Sequence, residues 1–435
     1  MASNPYDRLK YKHHQFILNS EISNEVKFDN FRESQKFSKD SSFYYQINHM
    51  SKFSKYIPDF RTGIKYYSNN GSSIFSFEPI VTNDKYGSHV LGTNYARNKL
   101  SGTVENAFIK LFNKNISLQF GRSSIFWGQS ISSSIIQAGQ ALSSENLLFM
   151  MKNDKTKFEM VTSQLGSEIN NDGIRIKRFI AGHKVSWIPN NKLLLGFGEH
   201  ILYTGLNRTI ELNYLNPIVP YVFYALEGEE EKGELSDNDN LIMFSYGRFK
   251  IKPNFSIYFE FIVDEYQIDK TEDNNALGYK IGFDGRNNKF FSTTWFIEWT
   301  KIDQLTYTHP GQYTSWENNG HSIGFPYGND SECFQIQSMS NFRNGLLFFC
   351  DFIYLNKGRG NSPVKSDGDI YLDRSKNNYM FYEFSIIKKY KNFNIEAGWS
   401  QKPFPNTIIE NKSIFPKKGS AFIKIDLLIV NSFSI

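Results

Sequence analysis

Between residues 255 and 265 the chain alternates with a period of two. Phe255, Ile257, Phe259, Phe261 and Val263 fall on one side, and Ser256, Tyr258, Glu260, Ile262 and Asp264 on the other. A helix repeats every 3.6 residues or so and would mix the two sets around its circumference, so the pattern demands an extended strand with one almost purely apolar face. The same period sets Phe393, Ile395, Ala397 and Trp399 against Asn394, Glu396, Gly398 and Ser400. It also sets Ala421, Ile423, Ile425 and Leu427 against Phe422, Lys424 and Asp426. Strands of about 9 to 12 residues, greasy on one side, can cross a bilayer at a tilt.

The connections sort by length. Turn signals rich in Asn, Pro, Gly and Lys occur at 113–115, 153–155, 189–191, 252–254, 285–288, 341–344 and 390–392. One strand later each gives way to a longer segment: 122–144, 166–173, 205–239, 266–276, 301–331, 356–377 and 402–418. A soluble sandwich has no physical reason to sort its loops onto two ends, whereas a membrane barrel has short periplasmic turns and long external loops. This rule places strands at 41–50, 59–67, 72–80, 103–112, 116–121, 145–152, 156–165, 174–188, 192–204, 240–251, 255–265, 277–284, 289–300, 332–340, 345–355, 378–389, 393–401 and 419–430. The expected fold class is therefore all-β: a transmembrane antiparallel β-barrel of about eighteen strands, both chain ends on the short-turn side. Residues 41–435 form the barrel and 1–40, mostly polar, a periplasmic N-terminal segment; no internal repeat or linker divides the chain.

Composition agrees. With 40 % apolar residues among 435 and a mean hydropathy of -0.46, no stretch approaches the roughly 18 consecutive apolar residues of a spanning helix, so a helical membrane protein is excluded. The net charge is +5, and basic residues cluster no further than pairs such as Lys388–Lys389 and Lys417–Lys418. Nucleic acid is not an expected partner. The N-terminus lacks the apolar core of a secretory signal, so a leader is expected to have been removed if the chain is exported.

At 178–205 the chain reads RFIAGHKVSWIPNNKLLLGFGEHILYTG, and ELNYLNPIVPYVFYALEGEEEKGELSDNDNLIMFSYGRFKI follows at 211–251. Together they resemble the middle of the capsule assembly Wzi family, outer-membrane barrels that attach surface polysaccharide. IYFEFIVDEYQID at 257–269 resembles that family's strand ending in an acidic pair. IEWTKIDQLTYTHPGQYTSWENNGHSIGFPYGND at 297–330 resembles its long aromatic, glycine-rich loop, and GRSSIFWGQSISSSIIQAGQAL at 121–142 is a looser match. The resemblance covers roughly residues 105–360. It implies an eighteen-stranded barrel of the bacterial outer membrane that holds capsular or related exopolysaccharide in a lectin-like way. Its best-studied branch closes the periplasmic mouth with an N-terminal helical bundle, for which forty residues are few.

Polysaccharide-contact candidates are the loop residues Trp127, Tyr214, Tyr224, Tyr307, His309, Tyr313 and Trp316, with Tyr221, Phe223, Phe325 and Tyr327 nearby. Aromatic faces stack on sugar C–H surfaces while neighbouring carboxylates and amides bond hydroxyls. The alternative is that these rings form the interfacial girdle of a barrel or pack its loops together. Arg122, Glu199, Arg248, Asp264 and Glu298, with His200, Glu265 and Arg175, are expected to face inward as a polar lumen network, because charge facing lipid costs about 2–4 kcal/mol at the midplane. The acidic run 227–240 lacks calcium-loop spacing and reads as a solvated loop. No nucleophile elbow, phosphate loop or zinc motif occurs, so neither catalysis, metal nor cofactor is expected. Cys333 would face Cys350 if Ser340–Arg343 turned the hairpin; an Asn344–Gly345 turn would set Cys350 opposite Met339, and the stronger Asn-Gly signal favours free thiols. The functional expectation is a non-enzymatic, polysaccharide-binding barrel; the alternatives are a porin or substrate-specific channel, or an envelope scaffold.

Overall fold

The computed structural model describes residues 42–53, 58–69, 72–82, 96–97, 100–139, 143–170, 172–206, 208–227, 239–265, 276–287, 292–308, 313–319, 321–342, 345–358, 376–390, 393–401 and 420–432. The expected periplasmic segment 1–40 and most of the acidic run lie outside them.

One antiparallel sheet dominates. Setting aside the two-residue pieces Ala96–Arg97 and Glu168–Ile169 from its twenty strands leaves eighteen that form the wall. In chain order these are β1 (Ser42–Phe53), β2 (Pro58–Asn69), β3 (Ser73–Thr82), β4 (Leu100–Phe112), β5 (Ile116–Ser123), β6 (Ser144–Lys152), β7 (Thr156–Gln164), β8 (Arg175–Trp187) and β9 (Leu193–Gly205). Then follow β10 (Asp239–Lys252), β11 (Phe255–Glu265), β12 (Ala276–Asn287), β13 (Ser292–Ile302), β14 (Ser331–Phe342), β15 (Leu346–Gly358), β16 (Lys376–Lys389), β17 (Phe393–Ser400) and β18 (Ser420–Ser432). Each pairs with its sequence neighbour. β18 returns to β1 from Ser42↔Ser432 to Lys52↔Phe422, so every wall strand has a partner on both sides and no edge is left to aggregate. The described parts of the connections 124–143, 206–238 and 303–330 follow strand ends at one end of the wall, and the short turns 113–115, 153–155 and 253–254 join strands at the other.

The two faces differ as the alternation requires. Phe120 at 70 % exposure, Phe197 at 67 % and Met380 at 60 % stand bare on the outer face, with Phe259, Ile281, Phe384 and Trp399. The opposite parity is buried and carries the polar groups: Ser256, Glu260, Lys280, Asp284, Glu298, Thr300, Gln337, Asp351, Ser385 and Glu396. A surface this apolar in water would drive aggregation, whereas in hydrocarbon it costs nothing.

The hairpin of β14 and β15 corrects both registers considered for the cysteines. Phe342 pairs with Leu346, leaving three residues between them with Gly345 in the left-handed region at φ 70°, a conformation glycine adopts without strain. Cys333 then faces Leu355, and Cys350 faces Ser338. Cys333 is buried on the inward parity, Cys350 lies on the outward one, and both are free. The wall separates the two sulfurs, so titration of the unfolded, unreduced protein is expected to find two thiols per chain; finding none would refute the register.

Candidate functional site

Two of the long segments fold into the barrel. In the first, residues 124–143, Phe126–Trp127 pairs with Gln137–Ala138 in a small hairpin whose tip, 128–136, is rich in serine. Serine and glycine suit this tip because an irregular backbone inside the barrel must have its N–H groups satisfied by side chains. Gly128 sits at φ 141°, and a Cβ there would lie 2.2 Å from Ser134 Oγ and 2.3 Å from Glu260 Oε1. Only a residue without a side chain brings the backbone this close.

The wall meets this tip with two carboxylates. Glu260 Oε1 on β11 accepts the backbone N–H of Gln129 (2.6 Å) and Ser130 (2.8 Å), and Oε2 accepts Ser134 Oγ and Ile135 N, each at 2.8 Å. Glu298 Oε1 on β13 accepts Ile131 N (2.9 Å), Ser132 N (3.2 Å) and Tyr258 Oη (2.6 Å), while its Oε2 accepts Ser132 Oγ. Between them on β12, Lys280 pairs with Glu298 at 2.9 Å and donates to Ser133 O. Arg248 on β10 pairs with Asp284, donates to Gln129 O at 2.8 Å and lies over the Tyr258 ring. Glu260 stands directly across from Lys280 in the ladder, so four adjacent strands present one polar patch. Hydrogen bonds to a charged acceptor contribute about 1.5–3 kcal/mol each, which offsets the desolvation of these buried ions.

The second segment, 303–330, packs on the first: Ala138 N donates to Ile323 O at 2.9 Å, and Tyr307 Oη donates to Ile135 O. Asp264 on β11 accepts Tyr307 N. On the far side Arg178 of β8, itself 1 % exposed, donates to Tyr313 O (2.8 Å) and Ser315 O (2.6 Å), and Asn240 donates to Thr314 O at 3.1 Å. Tyr307 and Tyr313 both hold positive φ, at 69° and 68°, conformations that cost a tyrosine about 1–3 kcal/mol and persist only because these contacts impose them. Burial holds the Tyr307 phenol well above its usual pKa. Trp127 stacks on His200 with ring centroids 4.6 Å apart, and Lys184 Nζ lies over the Trp127 ring at 4.9 Å from its centroid. Trp127, Trp316, Tyr307, Phe325 and Tyr327 thus join one buried cluster with wall residues from β7 to β16, such as Val161, Leu202, Ile353 and Phe381.

A third segment, 206–227, goes the other way. Its 3-10 turn (Asn213–Leu215) and helix α1 (Tyr221–Glu227) lay Tyr214 and Tyr221 on Phe179, Ala181, Ile201 and Tyr203, outward residues of β8 and β9. Arg208 ties the segment to Glu211 and Asp239, and Tyr214 Oη donates to Asp239 at 2.6 Å. Burial first, and the adjacent Asp239 and Glu199 carboxylates second, push the Tyr214 and Tyr221 phenols above their ordinary range.

These positions alter the expected site. Trp127, Tyr214, Tyr307 and Trp316 are buried rather than displayed on external loops; Tyr224 and Tyr313 are half-buried, and His309 lies outside the described residues. Of the expected lumen network, Arg248, Asp264 and Glu298 face inward. Glu199 does not: neighbouring residues in a strand face opposite sides, and with His200 inside against Trp127, Glu199 points outward to His183 (2.8 Å) and Tyr221 N (2.7 Å). Arg122 likewise shares the outer parity of exposed Phe120, donates to Val104 O and pairs with exposed Glu145. Glu260, Lys280, Asp284 and Arg178, the residues that hold the segments, were not singled out from sequence; Glu260 was visible only as an inward polar position of the alternation.

The family model for capsule assembly protein Wzi matches residues 21–407. Among solved structures the chain is similar to Wzi of Escherichia coli, described as an outer-membrane protein involved in group 1 capsule assembly and a carbohydrate-binding β-barrel. The TM-score is 0.60 at 12 % identity, covering 100 % of this chain and 90 % of that one. At this identity the likeness concerns the fold. Acinetobacter baumannii OccAB2 (TM-score 0.49, 12 % identity, 90 % of this chain and 98 % of that one) and Pseudomonas aeruginosa OccD3 (0.47, 8 %, 90 % and 91 %) are weaker likenesses. No curated protein matches in a sequence comparison.

The buried ion pair sets a stability test. Glu298→Ala leaves the Lys280 ammonium buried without its carboxylate and is expected to cost about 3–5 kcal/mol, read as a lower urea midpoint in detergent micelles. Replacing both residues by Met removes the unpaired charge and should recover much of that loss. A double variant as unstable as the single one would show that the charge pairing is not what matters.

Proposed function

The chain belongs to the Wzi capsule assembly family and is a β-barrel of the bacterial outer membrane, and from that premise we propose that it binds capsular or related surface polysaccharide at its external mouth, in a lectin-like and non-catalytic manner. The observation that carries this reading is the pair of loop segments packed inside the barrel. Glu260 and Glu298 fasten 128–135 across the inside of the wall, and 303–330 packs over it in the same buried cluster. A channel needs a water-lined path, and these carboxylates are spent on backbone amides instead. No step of bond cleavage is assigned to any of these groups.

The packed segments serve as a platform. Arg178 and Asn240 hold the backbone of 313–315 from below, and Tyr313, held at positive φ, is half-buried. A ring fixed in advance loses little entropy on stacking against a sugar face. We assign Tyr313 to direct contact, and Trp127, Tyr307 and Trp316 to support beneath it. The Tyr214 and Tyr224 rings belong to the outer segment, where they pack against the wall and one another.

The protein in planar bilayers is expected to show no steady ohmic conductance and to retain purified capsular polysaccharide of the same bacterium on a biosensor surface. Tyr313→Ala should weaken retention about tenfold, a loss typical of one stacked ring in a buried contact, at unchanged thermal stability. Gly128→Ala, which drives a Cβ into Ser134 and Glu260, should raise conductance. Robust conductance of the unaltered protein with no glycan retention would turn the reading to a channel.

A further inference from the structure

The segment 206–227 leaves an exposed apolar surface on its far side: Leu212 at 80 % and Ile218 at 84 % exposure, with Leu206, Ile210 and Phe223 each about half exposed. Tyr214 and Tyr221 on its near side are covered by the wall. An external loop in water gains nothing from five bare aliphatic and aromatic side chains beside an already packed face.

Its height on the wall says what covers them. Outward positions of β9 run from the short-turn end as Leu195, Phe197, Glu199, Ile201 and Tyr203, and Phe197 is 67 % exposed in the lipid-facing belt. A belt about 25 Å tall, on strands rising about 3.3 Å per residue at about 40° of tilt, spans about ten residues of each strand. Counted from Leu193, it reaches to about Leu202, so Glu199 and Ile201 stand at membrane depth. Glu199 would be an ion facing hydrocarbon were it not covered: Tyr221 N donates to it at 2.7 Å, His183 meets it at 2.8 Å, and the Tyr221 ring lies 4.5 Å from the His183 ring. The segment therefore reaches down the outer wall to within two residues of the bare Phe197. Its own far side continues the same apolar belt outward, with Met243 of β10 alongside at 44 % exposure.

We infer that residues 206–223 form a lipid anchor on the outside of the barrel: Leu212, Ile218 and Phe223 insert among the acyl chains of the external leaflet, while Tyr214 and Tyr221 seal the His183–Glu199 pair against the wall. The occupant is membrane lipid, by continuity with the lipid-facing belt, and the anchor works independently of any glycan held at the mouth.

Site-directed nitroxide labelling tests it in the full chain reconstituted in dioleoylphosphatidylcholine vesicles, in a Cys333→Ser, Cys350→Ser background. Labels at Ile218→Cys and, separately, Leu212→Cys are compared with Phe197→Cys in the belt and Asp154→Cys in an exposed short turn, folding being verified for each by heat-modifiable migration. Both segment labels are expected to match residue 197: high accessibility to oxygen, and accessibility to a water-soluble nickel chelate several-fold below that of residue 154. Nickel accessibility equal to that of residue 154 would overturn the anchor. So would low accessibility to both reagents, which would mean that protein, not lipid, covers the patch.

Discussion

Two carboxylates capturing the backbone of a loop organise this molecule. A closed wall of eighteen strands could enclose water, and its inward parity supplies the polar groups that would line a channel. Here Glu260 and Glu298 accept seven backbone and serine donors from residues 129–135, and that choice packs a loop into the interior on one side. The arrangement is reciprocal: irregular backbone at membrane depth is tolerable only when its N–H groups are met, and a buried carboxylate is tolerable only when several donors surround it. Each removes the other's penalty. Lys280 and Arg248 complete the balance from the wall by neutralising Glu298 and Asp284 and by taking the carbonyls of Ser133 and Gln129.

From that clamp the second segment follows. The hairpin of 126–138 presents Ile135 and Ala138 to 303–330, whose Tyr307 and Ile323 bond to it. Arg178, on a strand far around the wall from Glu298, fixes the other end. A segment pinned at both ends by charged side chains has few conformations left, which is how two tyrosines come to be held at positive φ. Rigidity of this kind suits recognition of a polymer whose individual sugar contacts are weak.

The wall was legible in sequence to within a few residues at each strand, because a lipid-facing strand must be apolar at every second position and the turns between such strands must be made of turn formers. The interior was not. Register decides which inward groups meet, and the expected turn at 285–288 actually lies within β12, which runs to Asn287. That turn sets β12 against β13, whereas Glu260 meets Lys280 through the β11–β12 pairing, which no short turn fixes. Glu199 and Arg122 were misplaced for a different reason: the rule that charge avoids lipid is sound, but it is satisfied equally by a cover. Adjacent Glu199 and His200 could never both face inward, and the period-two rule, applied strictly, would have flagged Glu199 as an outward carboxylate in need of a partner. The setting of Trp127, Tyr214, Tyr307 and Trp316 was not legible, since stacking on sugar and packing in a core ask for the same rings.

That misplacement carries the most general point. An outward carboxylate in the middle of a barrel strand is normally unfavourable, and the chain retains one 2.8 Å from a histidine on the neighbouring strand. The cover over that pair is drawn from the connection between β9 and β10, whose described residues up to Glu227 fold down against the wall. Among the described residues, three long segments thus commit one face to the barrel: 124–143 and 303–330 inside it, 206–227 outside it. Between them the backbone at 313–315 is held from below by Arg178 and Asn240, so the shape of that stretch is set by groups buried beneath it.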